Sequence, residues 1–354
     1  MNAINQTIGD NFAAYHGDCV ELIKGIPDES IGFSVFSPPF SSLYTYSASD
    51  RDMGNCRDDE SFMEHFAFLV EDLLRVTQMG RLCSFHCMNM PTSKARDGVI
   101  GIKDFRGELI RLFINNGWIY HSEVCIWKDP VAAMQRTKSL GLLHKQVVKD
   151  SCMSRQGVPD YLVTMRKPGE NQNRVAGEFD RWIGDDSFSD RDEEKQWRKL
   201  KATWDAMTDD QKYNYRKDNG GWDFGYDDDW TPDRVKPLMA RPTRLSIDVW
   251  QRYASPVWMD INPSNTLQFR SAREHNDERH ICPLQLQVIE RALEMWSNPG
   301  DTVLSPFMGI GSEGYVAIEN GRRFIGIELK ESYFKQSCAN LKAAEDKLKE
   351  TRLL

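Results

Sequence analysis

The chain has 354 residues, 40% of them apolar and 28% charged, with a formal net charge of −8. That is ample apolar material for one large core or two ordinary ones, and disorder throughout is excluded. No apolar run approaches the roughly 18 residues that cross a bilayer, and the first residues lack the basic-then-apolar order of a secretory signal. The eight cysteines, at 19, 56, 83, 87, 125, 152, 282 and 338, form no CxxC pair. A zinc ribbon or a secreted disulfide scaffold is thereby disfavoured, and reduced thiols in a cytoplasmic setting are expected.

In chain order, the first zone runs to about Lys128. Gly32 to Phe36 is a short apolar run that stops at Ser37-Pro38-Pro39-Phe40, the pattern of a buried strand entering a loop. Phe62, Phe66, Leu69, Leu73 and Val76 recur at helical spacing, and Met79-Gly80 supplies a stop. Arg81 to Cys87 reads as a second buried strand, Phe105 to Asn116 as a helix closed by Gly117, and Ile119 to Trp127 as a third strand. This rhythm predicts a parallel α/β sheet.

The middle zone, 129–275, breaks the rhythm and holds seven of the ten tryptophans, at 182, 197, 204, 222, 230, 250 and 258. Glu193 to Met207 reads as a helix and Asp218 to Trp230 as turn-rich. Aromatics among charges suit an inserted module that binds something flat or another chain, and equally a small satellite core. Charge is unevenly placed. From Glu178 to Val235 there are 17 acidic against 10 basic residues; from Lys128 to Lys167 there are 8 basic against 3 acidic. The stretch from Lys236 to His280 is mildly basic, with 7 Lys or Arg against 5 acids. Screening confines surface fields to about 8–10 Å, so an acidic protein can still hold a polyanion on one basic face. Ordinary solvated surface is the competing account.

The last zone returns to α/β. Pro283 to Trp296 reads as a helix, Asn298-Pro299-Gly300 as a turn and Thr302 to Leu304 as a strand. Ser312 to Asn320 then reads as a helix, Phe324 to Ile327 as a strand ending at Glu328, and Glu331 to about Glu350 as a terminal amphipathic helix. Between strand and helix, Gly309-Ile310-Gly311-Ser312-Glu313-Gly314 fits GxGxxG, with an acid after the next strand. That is the outline of a dinucleotide fingerprint and serves any nucleoside-bearing cofactor: small residues let the backbone approach, and a strand-end carboxylate accepts ribose hydroxyls. Only 26 residues follow Glu328, so the rest of such a sheet must come from earlier in the chain.

Ser37-Pro38-Pro39-Phe40 has a specific chemical use, besides that of a strand-ending turn. Proline fixes φ and keeps the preceding residue extended. The Ser37 side chain and the Pro38 carbonyl can then accept both N–H bonds of an exocyclic amine. This draws the delocalised lone pair out for attack on an electrophilic methyl, while Phe40 stacks on the extruded base, worth roughly 1–3 kcal/mol.

The combination resembles the β class of S-adenosylmethionine-dependent DNA amino-methyltransferases. There a D/N/S-P-P-Y/F/W motif precedes the target-recognition region and a D-P-F-x-G-x-G-T motif comes last. Here Ser37 to Phe40 stands first and Ser305-Pro306-Phe307-Met308-Gly309-Ile310-Gly311-Ser312 last. Gly17-Asp18-Cys19 precedes the catalytic strand, and His280-Ile281-Cys282-Pro283 resembles a cofactor-side segment of the family. The resemblance covers roughly 1–130 and 275–335. It implies a Rossmann-like α/β class I methyltransferase sheet, circularly permuted, with 1–128 and 276–354 as the catalytic domain and 129–275 as an inserted target-recognition region. It implies Ser37, Pro38, Pro39 and Phe40 as catalytic residues, and Asp18, His280, Ser305, Phe307, Gly309, Gly311, Ser312 and Glu328 as the cofactor site. Ser305 departs from the family's Asp, which removes a carboxylate near the cofactor's methionine end. Asp18 then either supplies a charge or only turns the chain, and His280 either serves the cofactor or caps a helix.

The implied activity is site-specific transfer of a methyl group from S-adenosyl-L-methionine to a flipped base. Adenine N6 is favoured on the number of adenine enzymes in the class, and cytosine N4 is the alternative on the serine that opens the motif. C5-cytosine chemistry is excluded because there is no Pro-Cys dipeptide, and no metal is called for. Extrusion of the base costs a few kcal/mol. Double-stranded DNA is the expected partner, held by Arg136, Lys138, His144, Lys145, Lys149, Arg155, Arg241, Arg244, Arg270 and Arg273. The family resemblance also allows a homodimer and a cognate restriction nuclease, and no membrane. An RNA target, an NAD-dependent oxidoreductase and a non-catalytic nucleic-acid-binding protein are the remaining alternatives.

Overall fold

The computed structural model describes residues 3–40, 53, 56, 58–92, 94–137, 140–175, 206, 208, 211, 250, 252–268 and 283–353. The chain divides into two compact units, one made of Met1–Val175 with Pro256–Leu354 and the other of Ala176–Ser255. Most of the second unit lies outside the described residues, including the expected helix 193–207, the turn-rich 218–230 and Trp182, Trp197, Trp204, Trp222 and Trp230.

In the first unit the strands are β1 (Asn5–Ile8), β2 (Phe12–His16), β3 (Ile31–Phe36), β4 (Thr77–Met88), β5 (Met90–Thr92), β6 (Gly101–Lys103), β7 (Ile119–Ile126), β8 (Asp160–Arg166), β9 (Val257–Trp258), β10 (Thr302–Ser305) and β11 (Arg323–Glu328). The helices are α1 (Cys19–Leu22), α2 (Asp59–Val76), α3 (Lys94–Asp97), α4 (Phe105–Asn115), α5 (Pro130–Thr137), α6 (His144–Lys149), α7 (Leu286–Trp296), α8 (Ser312–Glu319) and α9 (Glu331–Leu353). Nine strands form one sheet in the order β1-β2-β11-β10-β3-β4-β8-β7-β9, and β5 with β6 form a separate hairpin.

From β2 to β4 all neighbours are parallel, so five strands end at one edge of the sheet. The two ends of the chain meet inside this parallel block. Phe33 of β3 pairs with Val303 of β10, and Phe12 to His16 of β2 pair with Phe324 to Glu328 of β11. Beyond the register shift that follows Ile31, side chains of β3 alternate between two layers. Phe36 of β3 and Leu304 of β10 face a core with α1, α2 and α4, whereas Phe33, Val35 and Val303 face one with α7, α8 and α9. Helix α2 begins where Asp58 accepts from the Ser61 N–H at 2.9 Å, a side-chain cap.

Three expectations are corrected. The sheet is mixed rather than wholly parallel, because β8 runs antiparallel to both β4 and β7. The Met79-Gly80 stop lies inside β4: Gly80 takes φ +69 where the β3–β4 register shifts, so the chain bulges and does not leave the sheet. The sheet also extends past residue 128, since β8 and β9 come from within 129–275. Strand β8 passed unread because Tyr161 to Arg166 is flanked by polar, proline-bearing chain and its partners are remote in sequence. Trp258 of β9 is buried under the Arg291 guanidinium, 5.1 Å from its ring, so it belongs to this core and not to a separate tryptophan module. Among the described residues no helix is long and apolar enough to cross a membrane.

Arg81 fastens the two ends of the chain. It is 1% exposed, and its guanidinium donates to the Gly32 carbonyl of β3 at 2.9 Å, to the Asn173 carbonyl at 2.8 Å and to the Asp301 carboxylate just before β10. Removing one member of a buried pair strands the other charge. Arg81→Leu is expected to lower unfolding free energy by about 3 kcal/mol, the low end for such a loss, because Asp301 keeps some solvent contact. Urea denaturation of the two proteins checks this; an unchanged midpoint would remove Arg81 from that role.

Candidate active site

The carboxyl edge of the parallel block collects the motif residues. Ser37 follows β3 directly, and Pro306 follows β10, its neighbour in the sheet. Phe36 and Phe307 lie 5.8 Å apart between ring centroids, which joins the two segments in the core. Pro38 is buried, and half-buried Phe40 sits 6.3 Å from the Phe105 ring in a tilted contact.

Behind Ser37 stands a row of polar side chains. Ser37 Oγ is 3.2 Å from His86 Nδ1. His86 Nε2 is 3.2 Å from Asp160 Oδ2, outside good hydrogen-bond alignment, and the Lys128 ammonium donates to Asp160 Oδ1 at 2.5 Å. Topology explains the convergence. Asp160 opens the reversed strand β8 opposite Met88 and Ile126, so its start meets the ends of β4 and β7. Asp160 is 3% exposed, and burial alone would raise its carboxyl; the facing His86 and Lys128 outweigh that and hold it below the ordinary carboxylate range. His86, Asp160 and Lys128 were not singled out from sequence. No spacing joins them, and the one available signal was a histidine inside the apolar run 81–87.

The glycine loop is held from two sides. Gly309, at φ +55, donates its N–H to Glu328 Oε2 at 2.8 Å, and Glu328 Oε1 accepts from the Lys330 N–H at 2.8 Å. The Ile310 carbonyl accepts from the Asn340 side chain at 2.8 Å. Gly311, at φ +87, lies in the left-handed region that a side chain resists. The hydroxyls of Ser305 and Ser312 are buried with no hydrogen-bond partner.

Asp18 stands at the same edge, just after β2, where His16 pairs with Glu328 and the Gly17 N–H donates to the Glu328 carbonyl at 2.9 Å; its side chain also caps α1, accepting from the Val20 N–H at 2.9 Å. The expected DNA-contacting residues are more scattered. His144, Lys145 and Lys149 are exposed on α6, whereas Arg155 is half-buried and donates to the Gln156 carbonyl at 3.1 Å. His280, Lys138, Arg241, Arg244, Arg270, Arg273 and the side chain of Arg136 lie outside the described residues. Among the described residues no cluster of His, Cys, Asp or Glu could hold a metal ion.

An α/β sheet with a glycine loop and a strand-end carboxylate at its carboxyl edge defines a nucleoside-cofactor enzyme of the Rossmann-like class. The DNA methylase family model (N6_N4_Mtase) matches residues 31–339, and the chain belongs to that family of N6-adenine or N4-cytosine DNA methyltransferases. It is 40% identical over 103 residues to the DNA adenine methyltransferase YhdJ of Escherichia coli, covering 28% of this chain and 35% of that protein. It is 23% identical to the type II methyltransferase M.BglI of Bacillus subtilis, over 92% of this chain and 84% of that one. The chain thus spans about a third of the first relative's length and most of the second's. Two solved structures share the fold with TM-scores of 0.55. One is TTHA0409 from Thermus thermophilus, complexed with S-adenosyl-L-methionine (16% identity, 95% of this chain and 96% of that). The other is the cytosine-N4-specific PvuII DNA methyltransferase (14% identity, 98% and 96%). The family match does not favour the oxidoreductase alternative.

Glu313, in the first turn of α8, is a buried carboxyl that motif reading treated only as a spacer. Burial pushes it up to about 8, with the Glu328 charge adding to the effect. Between its ordinary value of 4.5 and about 8 the folded protein keeps a proton that the unfolded chain has released. Its contribution to stability is therefore full at low pH, declines as pH rises through that window, and levels off above it. Integrated, this is on the order of 3–5 kcal/mol. Glu313→Gln is expected to flatten the fall in urea midpoint between pH 5 and pH 8 relative to the parent. Parallel profiles for the two proteins would show that Glu313 is not the group responsible.

Proposed function

We propose that this chain is a site-specific DNA methyltransferase of the permuted β class, acting on the exocyclic amino group of a base turned out of the duplex. Adenine N6 is the preferred target, in line with the adenine enzyme matched at 40% identity over 103 residues. Cytosine N4 is the second reading, favoured by Ser37 at the first motif position. The single observation that carries the proposal is the pairing of β3 with β10, which brings the Ser-Pro-Pro-Phe turn beside the glycine loop.

S-adenosyl-L-methionine supplies an electrophilic methyl on a positively charged sulfur. The loop residues fit it. Gly309 and Gly311 allow close backbone approach, and the buried hydroxyls of Ser305 and Ser312 have hydrogen bonds still to make. A carboxylate offers about four acceptor sites, so Glu328 can bind ribose hydroxyls while it braces Gly309 and the Lys330 N–H. Phe307 closes the apolar side, and Asp18, which caps α1 beside the end of β11, either adds a charge to the cofactor site or only turns the chain.

On the other side of the β3–β10 pair, Ser37 Oγ and the Pro38 carbonyl take the two amine hydrogens. Pro39 holds that carbonyl extended, and Phe40 stacks on the base. Backbone phosphates would meet the basic residues of 128–167, including His144, Lys145 and Lys149, and the arginines 241, 244, 270 and 273. The target-recognition insert is then 176–255, because β8 and β9 are committed to the sheet.

The test is incubation of the protein with methyl-labelled S-adenosylmethionine and unmodified duplex DNA, followed by digestion to nucleosides. Label in N6-methyldeoxyadenosine is expected. Label in N4-methyldeoxycytidine would select the second reading, and no transfer to DNA would refute both. Phe40→Ala should lose the equivalent of roughly 1–3 kcal/mol in target binding through lost stacking, read as a weaker apparent affinity for DNA.

A further inference from the structure

His86, Asp160 and Lys128 belong to neither motif, yet the row they form ends on Ser37, the motif side chain that would meet the target amine. We propose that His86, oriented by Asp160 and Lys128, fixes the Ser37 hydroxyl as an acceptor and takes up, through Ser37, the proton lost by the amine. The inference rests on the methyltransferase reading above and names positioning residues within that site.

The argument begins at the buried end. Asp160 faces two cationic or proton-bearing groups, with Lys128 donating to Oδ1 at 2.5 Å and His86 Nε2 3.2 Å from Oδ2. An ionised carboxylate only accepts, so the hydrogen of a neutral imidazole belongs on Nε2. That leaves a lone pair on Nδ1, facing Ser37 Oγ at 3.2 Å. The Ser37 hydroxyl must then donate to His86, and both of its own lone pairs are left for the incoming N–H. The opposite tautomer would donate to Ser37 and turn the serine hydrogen towards the amine, so that donor met donor. A serine with no such partner could rotate its hydrogen either way; this one is held in a single sense.

The same row disposes of a proton. The amine lone pair forms the new N–C bond as the C–S bond breaks, and the bonding pair stays on sulfur as a neutral thioether. The nitrogen is now cationic and gives one N–H proton to Ser37 Oγ, while the serine's own proton moves to His86 Nδ1. The resulting imidazolium sits beside the Asp160 carboxylate, and its proton leaves to water when the product departs. Atoms and charge balance with no further reactant. Nε2 is buried against Asp160, so the proton leaves from Nδ1 by way of Ser37 once the product has gone.

Two measurements separate this from a merely structural role. The first uses the free protein: long-range nitrogen–proton correlation spectra of ¹⁵N-histidine-labelled enzyme, with the His86 signals assigned by their loss in His86→Asn. The Nε2–H tautomer is expected, and an Nδ1–H tautomer would overturn the proposal. The second is a double-mutant cycle on single-turnover methyl transfer. His86→Ala should slow transfer by about 10- to 100-fold, the lower part of the range for proton-transfer groups, with unchanged S-adenosylmethionine affinity by calorimetry. Because His86 acts through Ser37, Ser37→Ala with His86→Ala should be no slower than Ser37→Ala alone; multiplied losses would contradict the relay. His86→Asn, which keeps an acceptor near Nδ1 without a proton sink, should recover part of the rate and controls for folding. If the parent enzyme transfers no methyl group the functional reading fails, and the tautomer still decides the geometry on its own.

Discussion

Everything at the candidate site depends on a parallel pairing between strands from opposite ends of the chain. Phe33 meets Val303 and Ser34 meets Leu304, about 270 positions apart in sequence. Loop-closure entropy grows only with the logarithm of loop length, about 0.6 kcal/mol per doubling, so such a long connection is thermodynamically tolerable. The demanding part is register. A slip of β10 by one residue would turn Val303 out of its core and put Leu304 in its place. The separate cores on the two faces resist that, and Arg81 adds a directional clamp that reaches from the Gly32 carbonyl to Asp301. With the register held, Ser37 and Pro306 leave adjacent strands at the same edge.

That edge also sets two buried carboxyl groups in opposite states. Asp160 and Glu313 are similarly excluded from water, at 3% and 5% exposure. Burial pushes both upward, and the neighbours decide the outcome. Asp160 has His86 and Lys128 within ion-pair range and remains ionised. Glu313 has no such cation among the causes of its shift and has Glu328 as a like charge, so it enters the fold protonated even though a helix start favours an anion. The ionised acid lies behind Ser37, and the neutral one in the first turn of α8, directly after the glycine loop.

Local chemistry was legible in the sequence wherever it was contiguous. The Ser37–Phe40 turn, the 309–314 loop, Glu328 and the helices and strands flanking them were readable because each is a short run with its own periodicity or its own stop. What was hidden depends on strands meeting across the sheet. Tyr161 to Arg166 gives no sign that it fills the gap between β4 and β7, and Phe12 to His16 is too short to announce a strand. His86 reads as one polar residue in an apolar run until β8 brings Asp160 beside it. Asp18 was readable as a turn residue after Gly17, and its carboxylate does cap α1.

The reversed direction of β8 has a further consequence for how the chain is divided. In a parallel strand at that place the first residue would lie at the amino edge, remote from Ser37. Running antiparallel to β4, β8 opens at the carboxyl edge, so Asp160 sits opposite Met88 and Ile126 and within reach of His86 and Lys128. The segment after β7 thus returns to the sheet as β8 and completes the side-chain row behind Ser37. The boundary falls after that strand returns, consistent with the compact unit that includes residues 1–175 and resumes at 256. The basic residues between β7 and β8 are then tied by the sheet to the same edge as the Ser37–Phe40 turn.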